Sequence, residues 1–173
     1  MKNNIETEVK IEIDRQKKFD EIYRAIGSPD WTIQRNYIFP FSGNILRLRY
    51  EDRTGKAYLT FKGKDVGGEF NSREEKECNI PTELFESMAQ SLSKRSIQEF
   101  SSQPYYYEKI RAQANYRNCV VCLDNFFGDT YCEIEGDEKD IREIISEFGL
   151  EDFPREKRSY LELLMERENE RDR

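Results

Sequence analysis

The chain opens on a run of strict alternation. From Ile5 to Ile13, Glu6, Glu8, Lys10 and Glu12 fall on one parity, while Ile5, Thr7, Val9, Ile11 and Ile13 fall on the other. Side chains point to opposite faces in turn along a strand, so this run predicts a strand with one charged and one apolar face. The same period recurs at Thr32–Phe39, Ile45–Tyr50, Lys56–Gly63, Phe70–Ile80, Tyr105–Tyr116, Asn118–Asn125 and Thr130–Glu135. Between these runs the period changes to that of a helix. Asp14 to Ile26 carries Phe19, Ile22, Tyr23 and Ile26 on one side, with Asp14 as candidate cap and Gly27 and Pro29 as stops. Pro81 to Leu92 gathers Phe85, Met88, Ala89 and Leu92, and Asp137 to Phe148 gathers Ile141, Ile144, Ile145 and Phe148 before Gly149. A last short helix starts at Ser159, where Ser159 and Glu162 have capping-box spacing and Leu161, Leu164 and Met165 supply an apolar side. Ser93–Pro104 reads as loop, and the charged end of the chain, 165–173, as a fraying tail.

The faces must then be assigned. Amphipathic helices need an apolar surface to cover. If the apolar strand faces closed on one another, the helices would have no partner. If the helices cover those faces from outside, the charged faces point inward. About eight strands closed into a barrel leave room for side chains and one small ligand. The expectation is therefore α+β: an eight-stranded antiparallel β-barrel with a charged lumen and amphipathic helices packed outside, with residues 1–173 forming a single domain. Short connections favour the antiparallel pairing.

Composition narrows the chemistry. The 173 residues hold no histidine, which excludes a His-based triad, a zinc–His site and a His general base; any metal would sit on carboxylates and be a hard ion. The net charge of −7 argues against a general nucleic-acid binder. The N-terminal stretch lacks an apolar signal region and no segment approaches a membrane-spanning length, so a cytoplasmic protein with no membrane partner is expected. The four cysteines include Cys119 and Cys122, but a spacing of three on a strand puts their side chains on opposite faces, against a shared metal or a redox pair. Trp31 and Tyr105–Tyr107 read as barrel-edge packing rather than as a stacking platform.

The charged faces carry both signs. Lys10, Arg47, Arg49, Lys62, Arg73, Lys109 and Arg111 suit a polyanion, and Glu6, Glu8, Glu75, Glu77, Asp124, Glu133 and Glu135 suit the divalent cations such an anion carries. A triphosphate with bound Mg²⁺ meets both needs.

In order along the chain stand Glu6-x-Glu-x-Lys10, Gln34-x-Asn-Tyr-x-Phe39, Leu46-Arg-Leu-Arg49, Leu59-Thr-Phe-Lys-Gly63 and Arg73-x-Glu-x-Glu77. They are followed by Lys109-x-Arg111, Leu123-Asp124, Glu133-Ile-Glu-Gly136 and Ser159-Tyr-Leu-Glu-Leu-Leu164. With this set the chain resembles, over nearly its whole length, the CYTH superfamily of triphosphate tunnel metalloenzymes. The resemblance implies an eight-stranded antiparallel tunnel and metal-dependent attack on a triphosphate. It implies Glu6, Glu8, Asp124, Glu133 and Glu135 as metal ligands for one or two Mg²⁺ or Mn²⁺ ions. It implies Lys10, Arg47, Arg49, Lys62, Arg73, Lys109 and Arg111 as the phosphate cradle. Glu75 and Glu77, with Lys10, are the implied catalytic groups, placed to hold a second metal or the attacking water.

The expected activity is hydrolysis of tripolyphosphate, thiamine triphosphate or a nucleoside triphosphate, with a small-molecule triphosphate as partner and a monomer or homodimer as the assembly. The alternatives are a class IV adenylyl cyclase, making cyclic AMP and pyrophosphate from ATP, and a non-catalytic polyphosphate or nucleotide sensor. Three departures from the family pattern stand out. The His-containing segment of the founding bacterial cyclases is absent. The common Tyr-Phe-Asp reads Tyr37-Ile-Phe-Pro40, and Thr130 reads as an added residue before the Glu133 strand.

Overall fold

The structure, a computed structural model, describes residues 5–94 and 105–171. Eight strands close into one barrel: β1 Ile5–Glu12, β2 Trp31–Phe41, β3 Asn44–Glu51, β4 Lys56–Lys62, β5 Asn71–Ile80, β6 Tyr105–Tyr116, β7 Cys119–Phe126 and β8 Asp129–Glu135. Their order around the wall is β1-β5-β4-β3-β2-β6-β7-β8, and every neighbouring pair is antiparallel. The hairpin turns explain the tight connections. Ser42 and Gly43 between β2 and β3 both have positive φ, as do Phe127 and Gly128 between β7 and β8. Such two-residue turns match the twist of the strands they join. Thr130, expected as an added residue, lies inside β8 opposite Asn125, and its hydroxyl donates to the Ile13 carbonyl at 2.5 Å.

Four helices lie outside this wall: α1 Gln16–Ala25, α2 Thr82–Lys94, α3 Glu138–Glu147 and α4 Tyr160–Arg171. Helices α1 and α3 bury Phe19, Ile22, Ile141 and Ile144 against Val9, Ile11, Val121, Leu123 and Ile134, the apolar faces of β1, β7 and β8. Helix α2 sets Phe85, flanked by Met88, on Phe39, Leu48 and Ala57 from β2, β3 and β4. The apolar strand faces therefore point outward to the helices and the charged faces inward. Trp31 stacks between Phe19 and Tyr23 of α1, with ring centroids at 6.0 and 5.4 Å, which makes it packing.

Three local expectations are revised. The residue that caps α1 is Arg15, without a side-chain bond; Asp14 faces the Arg15 guanidinium at 3.8 Å instead. Helix α2 extends to Lys94, and the remainder of the expected 93–104 loop lies outside the described residues. The charged end expected to fray continues α4 to Arg171, held where Arg167 pairs with Asp129 and lies over the Phe127 ring. The capping box is formed as expected: the Ser159 amide donates to Glu162 at 2.6 Å and the Glu162 amide to the Ser159 hydroxyl at 3.3 Å.

Helix α4 differs from the other three in what it covers. Tyr160, Leu161 and Leu164 pack on Ile38, Tyr107, Phe126 and Tyr131. These share strand parity with Asn36, Lys109, Asp124 and Glu133, so they face the lumen. The first turn of α4 thus closes over one end of the barrel.

Candidate active site

Alternation on each strand sends the charged residues into one lumen, and the register decides which of them meet. A cavity of about 320 Å³ occupies the lumen, lined by every charged candidate named above except Asp124. Asp124 is fully buried beneath the cavity wall.

Asp124 is saturated by its neighbours. Lys109 Nζ lies 3.0 Å away, Arg111 donates from Nε at 2.7 Å and from the guanidinium tip at 2.6 Å, and the Tyr160 hydroxyl donates at 2.6 Å. Glu133 accepts from Arg111 and faces Lys10 at 3.7 Å and Lys109 at 3.9 Å. Burial works against both carboxylate charges, but the cations outweigh it: Arg111 and Lys109 hold Asp124 below its usual range, and Lys109, Arg111 and Lys10 hold Glu133 well below it. Lys109 is pulled the other way. Burial and the neighbouring Arg111 lower its ammonium to about 7. Lys10 Nζ donates to the Arg158 carbonyl at 2.7 Å, and both Lys10 and Lys109 stand 4.1 Å from the Tyr160 ring centroid. Three cations face two carboxylates here, so the cluster carries a net positive charge while Lys109 holds its proton.

Glu6, Glu8 and Glu135 behave differently. One carboxylate oxygen of each lies within 4.8 Å of the others, a grouping able to hold a metal ion. Strand pairing places Glu8 opposite Glu135, and Glu6 follows Glu8 on the same face. Burial, the hydrogen bond to Glu75 and the Glu135 charge raise Glu6 to about 9, and burial with Glu8 and Glu133 also raises Glu135. Such a cluster needs a proton or a cation, and three carboxylates fit a hard divalent ion. Of the five carboxylates expected to bind metal, these three come together; Asp124 and Glu133 are engaged by Arg and Lys instead.

The opposite wall holds the other cations. Glu75 takes Lys62 at 2.5 Å and Arg47 at 3.4 Å, and Arg73 pairs with Glu8 at 2.8 Å. Burial and the cations Arg47 and Arg73 lower Lys62 to about 8. Arg47 also reaches Glu77 at 3.1 Å, and the Thr60 hydroxyl donates to Glu77 at 2.7 Å. Arg49 is the exception. It donates to the neutral Asn36 side chain at 2.9 Å, and among the described residues no carboxylate lies within ion-pair distance. Burial and the Arg47 and Arg111 charges lower it to about 10, the mark of a buried guanidinium short of an anion.

Three contributors were not among the expected site residues: Tyr160, Asn36 and Thr60. Parity places Asn36 on the lumen side of β2, a signal present in the sequence but overshadowed by the charges. Tyr160 had no such signal, since its role depends on where α4 docks. The C-x-x-C behaves as its spacing predicts: Cys119 joins the outer core, whereas Cys122 faces Gln113 inside at 3.6 Å.

Comparison with known proteins agrees with this geometry. The family model described as CYTH domain matches residues 4–160. No curated protein matches the chain. Among solved structures the chain is similar to a conserved hypothetical protein from Pyrococcus furiosus, with 22% identity, 91% of this chain and 99% of that chain covered, and a TM-score of 0.69. It is similar to a putative adenylate cyclase from Vibrio parahaemolyticus, at 19% identity, 95% and 99% coverage and a TM-score of 0.68. A putative adenylyl cyclase from Hippeastrum, described as having a dominant triphosphatase activity, aligns at 18% identity, 89% and 91% coverage and a TM-score of 0.63. Likeness at these identities concerns the fold. Among the described residues no helix is long and apolar enough to cross a membrane. With the family model covering all eight strands of the barrel, the chain belongs to the CYTH domain family.

Proposed function

We propose that the lumen binds a small-molecule triphosphate with one or two Mg²⁺ or Mn²⁺ ions and hydrolyses one of its phosphoanhydride bonds. The observation that carries this reading is the presence, in one cavity, of the Glu6–Glu8–Glu135 cluster and of Arg49 without a carboxylate partner. Carboxylates alone would suit a cation, and an unpaired guanidinium alone an anion. Together they suit a polyanion that carries its own divalent counter-ion.

In this reading Glu6, Glu8 and Glu135 hold the metal, which supplies charge neutralisation at the phosphoryl oxygens. Arg49, Arg47, Lys62 and Arg73 contact the phosphates, and the residual positive charge of the Lys10–Lys109–Arg111 cluster adds to the field around them. Asp124 and Glu133 orient that cluster rather than bind metal. Glu75, held ionised against its burial by the Glu6 hydrogen bond and by Lys62 and Arg47, fixes those two cations. Glu77 is the acid best placed to orient an attacking water and take its proton, because it carries the most exposed side chain, 38%, among the lumen acids with an ion pair to a cradle cation.

The test is a phosphate- and pyrophosphate-release screen with Mg²⁺ and with Mn²⁺ on tripolyphosphate, thiamine triphosphate and ATP, with nucleotide products separated. Orthophosphate release supports the hydrolase. Pyrophosphate with cyclic AMP would replace it with a cyclase. Tight binding with no product would leave a sensor.

A further inference from the structure

The barrel has a second mouth that the phosphate chemistry does not use. A cavity of about 480 Å³ opens between the turn at Pro29 and Asp30, the β3–β4 turn at Arg53 and Thr54, and Tyr58 of β4. It meets the first cavity at Arg49, Glu77, Arg111 and Gln113, which line both. The unpaired Arg49 guanidinium is therefore accessible from either side.

Gln34 stands in the wall of this mouth and is 1% exposed. Its Nε2 donates to Glu51 Oε1 at 2.8 Å. The Glu51 carboxylate accepts only, so the amide nitrogen is obliged to face it and the amide oxygen to face away. That oxygen is buried with no donor among the described residues. Folded interiors seldom leave an acceptor in this state. The surrounding groups do not compete for it: Thr54 donates to the other Glu51 oxygen at 3.2 Å, and Arg53 pairs with Asp30 at 2.5 Å. Asp30, Glu51 and Glu77 balance Arg49, Arg53 and Arg111 in this lining, and Arg53 and Arg111 are already paired with Asp30 and Asp124, so the mouth has no surplus of cations for further phosphate. Tyr58 presents a ring that stacks on no other ring among the described residues.

We propose that this mouth receives the non-phosphate end of the substrate, and that Gln34 Oε1 selects there for an amino group on a nitrogen heterocycle, with the phosphates running inward past Arg49. Gln34 is thus a specificity-determining residue. The inference rests on the triphosphate reading of the lumen and adds which end of the tunnel holds the organic group and what that group must donate.

The experiment compares matched substrates. ATP is set against purine riboside triphosphate, which lacks the 6-amino group, and thiamine triphosphate against oxythiamine triphosphate, in which an oxo group replaces the amino group. Tripolyphosphate serves as the headless control. All are measured for kcat/KM and by competition binding in the wild type and in Gln34→Met. The expected result is a preference of about tenfold or more for the amino-bearing member of at least one pair in the wild type. Gln34→Met should abolish that preference and leave tripolyphosphate unchanged. Equal use of both members of each pair by the wild type overturns the proposal, even if the variant does not fold. So does a preference that survives in Gln34→Met, or use of tripolyphosphate with no binding of any organic triphosphate; these leave the lumen reading standing. Failure of the wild type to bind any of the five compounds overturns both.

Discussion

The Tyr160 hydroxyl donates to Asp124 at 2.6 Å, joining the first turn of α4 to the carboxylate that anchors Lys109 and Arg111. This bond couples closure of one barrel end to the charge arrangement inside it. Tyr160→Phe keeps the ring beside both lysines and removes one of several bonds to Asp124, so it should destabilise the fold by about 1–2 kcal/mol. Asp124→Asn leaves Lys109 and Arg111 with a buried charge uncompensated and should cost about 3–5 kcal/mol. Chemical denaturation of the two variants checks the ranking; equal effects would contradict the role given to Asp124.

Glu8→Gln separates metal binding from phosphate binding. It removes one charge from the three-carboxylate cluster and the partner of Arg73. Mn²⁺ affinity, followed by electron paramagnetic resonance, should fall at least about tenfold. Tripolyphosphate binding without metal should persist or strengthen, because Arg73 is released. Unchanged Mn²⁺ affinity would remove Glu8 from the proposed ligands.

Arg49→Met tests the unpaired guanidinium. The charge lost has no carboxylate to leave behind, only the Asn36 side chain. Stability should change by less than about 1 kcal/mol, since relief of desolvation offsets the lost bond. Triphosphate affinity should fall about 10–100-fold. A large loss of stability with intact binding would reverse the assignment.

The metal-free protein should lose stability as pH rises from 5 to 7. Folded Glu6 holds its proton up to about 9, whereas its ordinary value is 4.5, so in this window the folded state binds more protons than the unfolded chain. Glu135, raised by its burial and by Glu8 and Glu133, acts in the same direction. Above this window Lys109, lowered to about 7, and Lys62, lowered to about 8, act in the opposite sense, which limits the test to the acid side of neutrality. Metal binding should release protons over the same range. Melting temperatures in chelator from pH 5 to 7, with calorimetry in buffers of different ionisation enthalpy, check both; a melting temperature that climbs with pH would refute the shift.

Gly136 lies where a side chain does not fit: a Cβ there would meet Cys119 Sγ at 2.6 Å. Gly136→Ala should cost about 1–3 kcal/mol through overpacking beside the strand that carries Glu133 and Glu135. Adding Cys119→Ala should restore most of that loss. Failure of the second substitution to rescue would place the strain in the backbone.

The sequence alone determined the alternation of each strand, the apolar stripe of each helix and, from the helices' need for a covered surface, the inward direction of the charges. These are local periodicities of two and of about 3.6 residues, which composition and order specify directly. It also determined which charges share the lumen. Tertiary structure decided which of them meet. Glu133 and Glu135 have the same parity on one strand, yet Glu133 falls among Lys10, Lys109 and Arg111 while Glu135 falls beside Glu8. Asp124 is withdrawn beneath the cavity wall for the same reason. That division depends on the register at which strands distant in sequence close the barrel, and parity carries no information about register. The docking of Tyr160 over one end and the orphaned oxygen of Gln34 were likewise settled by contacts across the barrel, where burial turns a polar side chain from a solvated surface group into one that needs a specific partner.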